Sequence, residues 1–362
     1  MADKMGIPLE SIDGFPDSVV SRLAELWITT AEDLVGAAVR EQGARGLAEF
    51  LDISEADLEA LVERAMAAFP PEFDFAPDDV HMYGLGALDE PGSAGPEPAS
   101  FAPPALPSQV DLHDRFPPVR NQANRGTCVA HACVAVREFL LGEESTEGDL
   151  SEQFVYWACK ERDGYAGSGT WIRHGMGVLE ELGVCTEETW PYKGNPIAGN
   201  EGQGPPPAGA ETKASAHRIE DSEQLQARWV NALRQQLAEE RAIAFAVPVF
   251  TYWFADPVAR TGDIRLPLST DKVEGGHAMC LVGYQDDPNV PGGGYFLVRN
   301  SWGTTTWGRD NAVAPGHARI PYAYMAEHGR SAFAASAPQR PSKPKLSWWE
   351  ELFRRWFGTS SG

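Results

Sequence analysis

Cys128 follows Arg125-Gly126-Thr127 and opens Val129-Ala130-His131-Ala132-Cys133-Val134-Ala135-Val136, a run of helical composition. A thiol attacks at neutral pH only as thiolate, so it needs a nearby imidazole, the positive end of a helix, or both. The run puts the Cys128 sulfur at a helix N-terminus. Gln122, six residues earlier, carries an amide that can donate to an oxyanion together with the Cys128 backbone N–H. His131 lies on the same helix, beside the thiol rather than across a cleft from it, so the base comes from elsewhere. His277 opens one apolar strand and Asn300 closes another. An amide fixes an imidazole without adding a second negative charge, and the indole of Trp302 is placed to shield that bond from water. Cys128, His277, Asn300 and Gln122 thus supply a nucleophile, a base, its orienting group and an oxyanion donor.

A different chemistry competes for some of the same side chains. Cys128-x-x-His131 and His277-x-x-Cys280 offer two ligand pairs for tetrahedral zinc. On a strand, however, residue i+3 points to the opposite face, so His277 and Cys280 diverge. The reading is therefore one without metal or cofactor. Five cysteines, Cys128, Cys133, Cys159, Cys185 and Cys280, are few and odd in number, which argues for reduced thiols over a disulfide framework. The last four read as buried thiols.

The elements that position these residues follow from composition. Residues 6–69 carry apolar positions at helical spacing, with hydroxyl caps at Thr30 and Ser54 before acidic first turns, so residues 1–69 read as a small, acidic, all-α domain. From 70 to 105 the chain turns to Pro, Gly, Ala and acidic residues, an exposed linker or propeptide-like segment. A helical region over 126–190 precedes a strand-rich one over 240–325, with strands at Ala242–Phe250, His277–Tyr284 and Tyr295–Asn300. Helices first and strands second predict an α+β fold with a cleft between two halves.

Pro118 through Cys128, the glycine-preceded His277 strand and Asn300-Ser301-Trp302-Gly303 with Trp307-Gly308 resemble the three signature blocks of the papain family of cysteine peptidases. Leu106-Pro107-Ser108-Gln109-Val110-Asp111 is similar to a mature N-terminus of that family, and Gly183-Val184-Cys185 to Trp190-Pro191-Tyr192 has the character of its bacterial members. The resemblance implies a two-lobed domain over 106–330, helical in the left lobe and β-rich in the right. It also implies peptide-bond hydrolysis through a thioester. Gly169 and Thr170 would pair with substrate backbone, Ile172 and Ala278 would border a modest apolar pocket, and Gly126 and Trp302 would line the cleft. Arg125 stands where most secreted relatives have a disulfide cysteine, Val129 where Trp is usual, and Gly276 where Asp is common. The N-terminal region, with Phe69, Phe73, Phe75, Met82 and Tyr83, is expected to restrain the enzyme as in a zymogen. Within it, Leu9 to Leu34 is similar to helix-hairpin-helix modules, but Gly14-Phe15-Pro16 lacks the second glycine that admits a phosphate.

Net charge bounds the partners. The formal charge is −22, and residues 1–100 hold 21 acidic against 5 basic side chains, which excludes nucleic acid as a partner. After a linker over 331–346, residues 347–358 predict an amphipathic helix whose Trp348, Leu352 and Trp356 align at four-residue spacing. Its aromatic face suits a groove on this chain, a partner protein or, less well, a membrane interface. The absence of a leader and of a spanning apolar run reads as cytoplasmic. The competing function is a catalytically idle scaffold that binds through its two ends.

Overall fold

The computed structural model describes residues 4–40, 42–70, 83–90, 95, 97–98, 105–142 and 149–337. The helix 347–358 and the side chains of Phe73, Phe75 and Met82 lie outside them.

Helices α1 (Asp17–Ala24), α2 (Ala31–Ala38), α3 (Gly43–Leu51) and α4 (Glu55–Met66) form the N-terminal layer. Thr30 and Asp33 make a reciprocal capping box at α2, and Ser54 accepts from the Asp57 N–H at α4. Leu9, Leu23, Ile28, Leu34, Leu47 and Leu58 close a small core of their own. Trp27 leaves it and joins the main core, stacking on Tyr295 at 6.0 Å with the Arg319 guanidinium over its ring at 5.5 Å. The Leu266 N–H donates to the Leu26 carbonyl at 3.0 Å, so the helical layer is fastened to the β-rich half.

After β1 (Gln109–Asp111), the left lobe is built from α5 (Cys128–Leu141), α6 (Glu152–Lys160) and α7 (Ile172–Glu181). Every residue of α5 from Cys128 to Phe139 is buried, His131, Arg137 and Glu138 included, as expected of a mostly apolar helix that runs through the middle of a domain. The short α8 (Ala210–Ala214), β2 (Asp221–Leu225) and α9 (Val230–Ala238) lead into the sheet. It continues with β3 (Ile243–Phe250), α10 (Val258–Thr261), β4 (Val273–Asp286), β5 (Gly294–Arg299), β6 (His317–Pro321), α11 (Tyr322–His328) and β7 (Ser331–Ser336). The order is β2-β7-β3-β4-β5-β6, with β1 also on β4, and all of these pairings are antiparallel. Central β4 pairs His277 with Val247 of β3 and packs against α5, so helix and strand meet at the seam between the lobes. The architecture is α+β.

Two expectations need correction. His277 does not open its strand: β4 starts at Val273, because Val273-Glu274-Gly275-Gly276 is extended too. More consequentially, 70–105 is not exposed throughout. Within 83–90, Ala87 and Glu90 are buried, and the segment lies against both lobes. Its glycines let it approach other backbone closely, which composition alone reads as linker.

Candidate active site

The first residue of α5 is Cys128, fully buried, with its sulfur in reach of the backbone N–H groups of Val129 and Ala278 and of its own. Those amides favour thiolate, but burial dominates and pushes the thiol up to about 11. Ala278 directly follows His277 in β4, so the Cys128 sulfur lies beside the backbone that carries the imidazole. His277 Nε2 lies 2.7 Å from Asn300 Oδ1. A carbonyl oxygen only accepts, so Nε2 carries the hydrogen and Nδ1, which has no protein partner, keeps a lone pair. Trp302 stacks on the imidazole at 4.3 Å and 21°, shielding the bond to Asn300. Burial lowers His277 to about 4. Burial thus favours the neutral form of both the thiol and the imidazole.

Gln122 is buried in the loop before α5. Ser301 Oγ donates to its Oε1 at 2.6 Å, which turns Nε2 toward the cleft. There Nε2 donates to the Arg125 carbonyl at 2.9 Å and to the Gly84 carbonyl at 2.6 Å. A carbonyl of residues 83–90 thus occupies the Gln122 side-chain amide. The rest of that segment spans the seam as a strap. Tyr83 stacks on Trp302 at 4.7 Å and 11°. Gly84 N–H donates to Ala123 O at 3.1 Å, and the Gly86 and Ala87 N–H groups converge on Gly276 O at 3.1 and 3.0 Å. Thr170 N–H donates to Gly86 O at 2.9 Å and Leu88 N–H to Thr170 O at 3.0 Å, a parallel bridge. Asp89 pairs with Arg330 at 2.8 Å, and the Glu90 carboxylate accepts from the Arg173 N–H at the start of α7 at 2.8 Å. A Cβ on Gly276 would collide with the Ala87 carbonyl, so glycine there makes room for the strap.

A family model described as papain family cysteine protease matches residues 106–316, more than half of the chain. The chain belongs to the papain family. It is 27% identical over 225 residues to an uncharacterized peptidase C1-like protein of Acanthamoeba polyphaga mimivirus, covering 57% of this chain and 65% of that one. A senescence-specific cysteine protease of Arabidopsis thaliana is 27% identical over 210 residues, covering 56% of this chain and 55% of that protein. The chain thus spans less than two thirds of the length of these relatives. Among solved structures, xylellain, a cysteine protease from Xylella fastidiosa, superposes with TM-score 0.59 at 27% identity, covering 71% of this chain and 97% of that one. The two lobes are those of the papain-like fold.

Within this papain-family chain, Cys128, His277, Asn300, Gln122 and Trp302 converge at one end of the seam. Thr170 presents its backbone to the cleft, whereas Gly169 turns its N–H inward to the Tyr156 hydroxyl at 2.9 Å. The strap runs alongside Gly126: a Cβ there would meet the Leu85 carbonyl. Ile172, the first residue of α7, and Ala278 are both buried. His131 is held apart, its Nδ1 donating to Thr127 O at 3.0 Å. Arg125, in place of a cysteine, bonds Gln153 Oε1 at 2.7 Å, Lys193 O at 2.9 Å and Glu201 O at 2.9 Å between the rings of Tyr156 and Tyr192. All five thiols are free and buried. Sequence reasoning gave no role to Ser301; a hydroxyl next to Asn300, just past the end of β5, was the available signal.

Proposed function

We propose that this chain is a cysteine endopeptidase held inactive by residues 83–90. The observation that carries the reading is the Gly84 carbonyl on Gln122 Nε2, within a strap that bonds to both walls of the seam. Such a contact is what a substrate carbonyl makes as it becomes an oxyanion. With the strap displaced, His277 Nδ1 takes the Cys128 proton and the thiolate attacks a peptide carbonyl. Gln122 Nε2 and the Cys128 N–H stabilise the tetrahedral oxyanion, and the imidazolium, oriented by Asn300, protonates the leaving amine. Water, deprotonated by His277, then hydrolyses the thioester and restores the thiol. The substrate is a peptide or protein. A partner for the C-terminal segment belongs to the same proposal and rests on sequence pattern alone.

The test is turnover of a peptide library by three full-length proteins: wild type, Cys128→Ala, and a chain whose Tyr83–Glu90 is replaced by Gly and Ser. The reading expects no turnover from Cys128→Ala and much faster turnover after strap replacement than in wild type. Equal rates with and without the strap would refute the restraint. A strap-replaced chain that showed no turnover, or turnover unchanged by adding Cys128→Ala, would leave the idle scaffold.

A further inference from the structure

Thr170 faces the cleft with its N–H and C=O, yet the turn that presents it, Gly167-Ser168-Gly169, has little intrinsic order, because two of its three residues are glycine. Something must fix it. Tyr156 and Lys160 are four residues apart on one face of α6, and both reach this turn. The Tyr156 hydroxyl accepts from the Gly169 N–H at 2.9 Å and donates to Glu201 Oε1 at 2.6 Å. The Lys160 ammonium donates to Gly167 O at 2.9 Å, Gly169 O at 3.0 Å and Asp163 Oδ2 at 3.0 Å, which uses all three of its hydrogens. Its side chain is only 7% exposed and that of Asp163 is fully buried. Gly167 O and both backbone groups of Gly169 are thus tied to α6, while Thr170 turns its N–H and C=O to the strap.

We propose that Tyr156 and Lys160 are positioning residues for the substrate backbone: they hold the turn so that Thr170 offers its N–H and C=O at the spacing an extended peptide needs. The inference rests on the peptidase reading and assigns these two side chains to binding, not to the chemical step. Charge-assisted bonds to two carbonyls are the strong kind, and a buried ammonium without them would be costly, so the turn and Lys160 fix each other. The strap supports the assignment, since it meets Thr170 through both backbone groups.

The test uses the full chain and two reagents for Cys128: iodoacetamide, too small to use the edge, and an epoxysuccinyl-leucyl peptide, which must pair with it. Both reach the thiol only when the strap lifts, so the ratio of their second-order rates cancels strap opening. In Lys160→Met the peptide-to-iodoacetamide ratio is expected to fall about tenfold, or about 1.4 kcal/mol, the order of one lost hydrogen bond to a charged group. Tyr156→Phe, which removes one oxygen and keeps the ring, should lower it about threefold to tenfold. Lys160→Arg, which retains the charge and its donors, should recover most of the loss. A general loss of folding would also lower the ratio, since an unfolded chain has no edge to pair with, so the ratios are compared only among variants whose thermal unfolding matches that of wild type. If Lys160→Met fails to fold, Tyr156→Phe decides. Ratios within twofold of wild type in the folded variants would overturn the inference while the peptidase reading stands. Wild type that reacts with iodoacetamide at Cys128 but not with the epoxysuccinyl peptide would overturn both.

Discussion

Replacing Tyr83 by alanine should unfasten one end of the strap. Its ring lies on Trp302 at 4.7 Å and 11°, and it is half-buried there. A stacked aromatic pair contributes about 1 kcal/mol beyond burial, and half-burial of the ring adds about 1 kcal/mol. The loss of roughly 2 kcal/mol multiplies the open fraction about thirtyfold, since 1.36 kcal/mol corresponds to tenfold. The readout is the second-order rate of Cys128 alkylation by iodoacetamide in the full chain at pH 8, followed by intact mass. The chain with Tyr83–Glu90 replaced by Gly and Ser sets the ceiling. Tyr83→Phe keeps the stacking, loses only the hydroxyl contact to Thr306, and should stay within about threefold of wild type. If Tyr83→Ala stayed within twofold of wild type while the strap-replaced chain reacted at least about thirty times faster, the stacking would have no part in closure.

Further outcomes follow from the same geometry. In the strap-replaced background, His277→Ala should abolish peptide hydrolysis as Cys128→Ala does. Asn300→Ala should cost on the order of 10- to 100-fold in kcat, because orientation contributes less than proton transfer itself; a silent Asn300→Ala would refute its role. With the strap in place Cys128 is pushed up to about 11, so the alkylation rate should still climb from pH 7 to 10, whereas strap replacement should raise it most at neutral pH. Parallel pH profiles for the two chains would contradict this. Stability against pH should show a broad maximum, read by thermal unfolding from pH 3 to 9. Burial lowers His131 to about 3 and both His277 and His317 to about 4, so each loses stability as pH falls below the ordinary histidine range. Burial raises Glu138 to about 8 and both Glu152 and Glu187 to about 7, so each loses stability as pH rises above the ordinary carboxyl range. The two sets oppose each other between about pH 4.5 and 6.5, and the maximum belongs there. A melting temperature still rising at pH 8 would refute the balance.

The residues proposed to carry chemistry were legible as a set because their neighbours constrain them strongly. A thiol at a helix start, an amide in the preceding loop, and an imidazole and an amide on apolar runs leave few other arrangements. Helices with hydroxyl caps were legible for the same reason: Thr30 and Ser54 satisfy local donors wherever the rest of the chain goes. Strands β2 and β7 were not. Asp221–Leu225 is polar and Ser331–Ser336 is largely alanine, so neither carries the alternation of β-branched residues that marks a strand. They form because the sheet offers open backbone partners. The strap was legible only in part: Tyr83 and the aromatic residues before it pointed to a segment along the cleft, but the contacts that hold it did not show. Gly84, Gly86 and Ala87 have no side chains large enough to signal burial, and what holds them is backbone bonding to groups far away in sequence.

Trp27 fastens the N-terminal helices to the β-rich half independently of the strap. Its indole is part of the same core as Tyr295 and the Arg319–Asp263 ion pair, and Leu26 is bonded to Leu266. A break in the backbone on either side of the strap would divide the polypeptide without dividing the particle. The enzyme that emerged would be a nicked heterodimer, its light fragment retained as a subunit on the β-rich lobe. Such a cut would be visible on a denaturing gel and nearly silent on a sizing column.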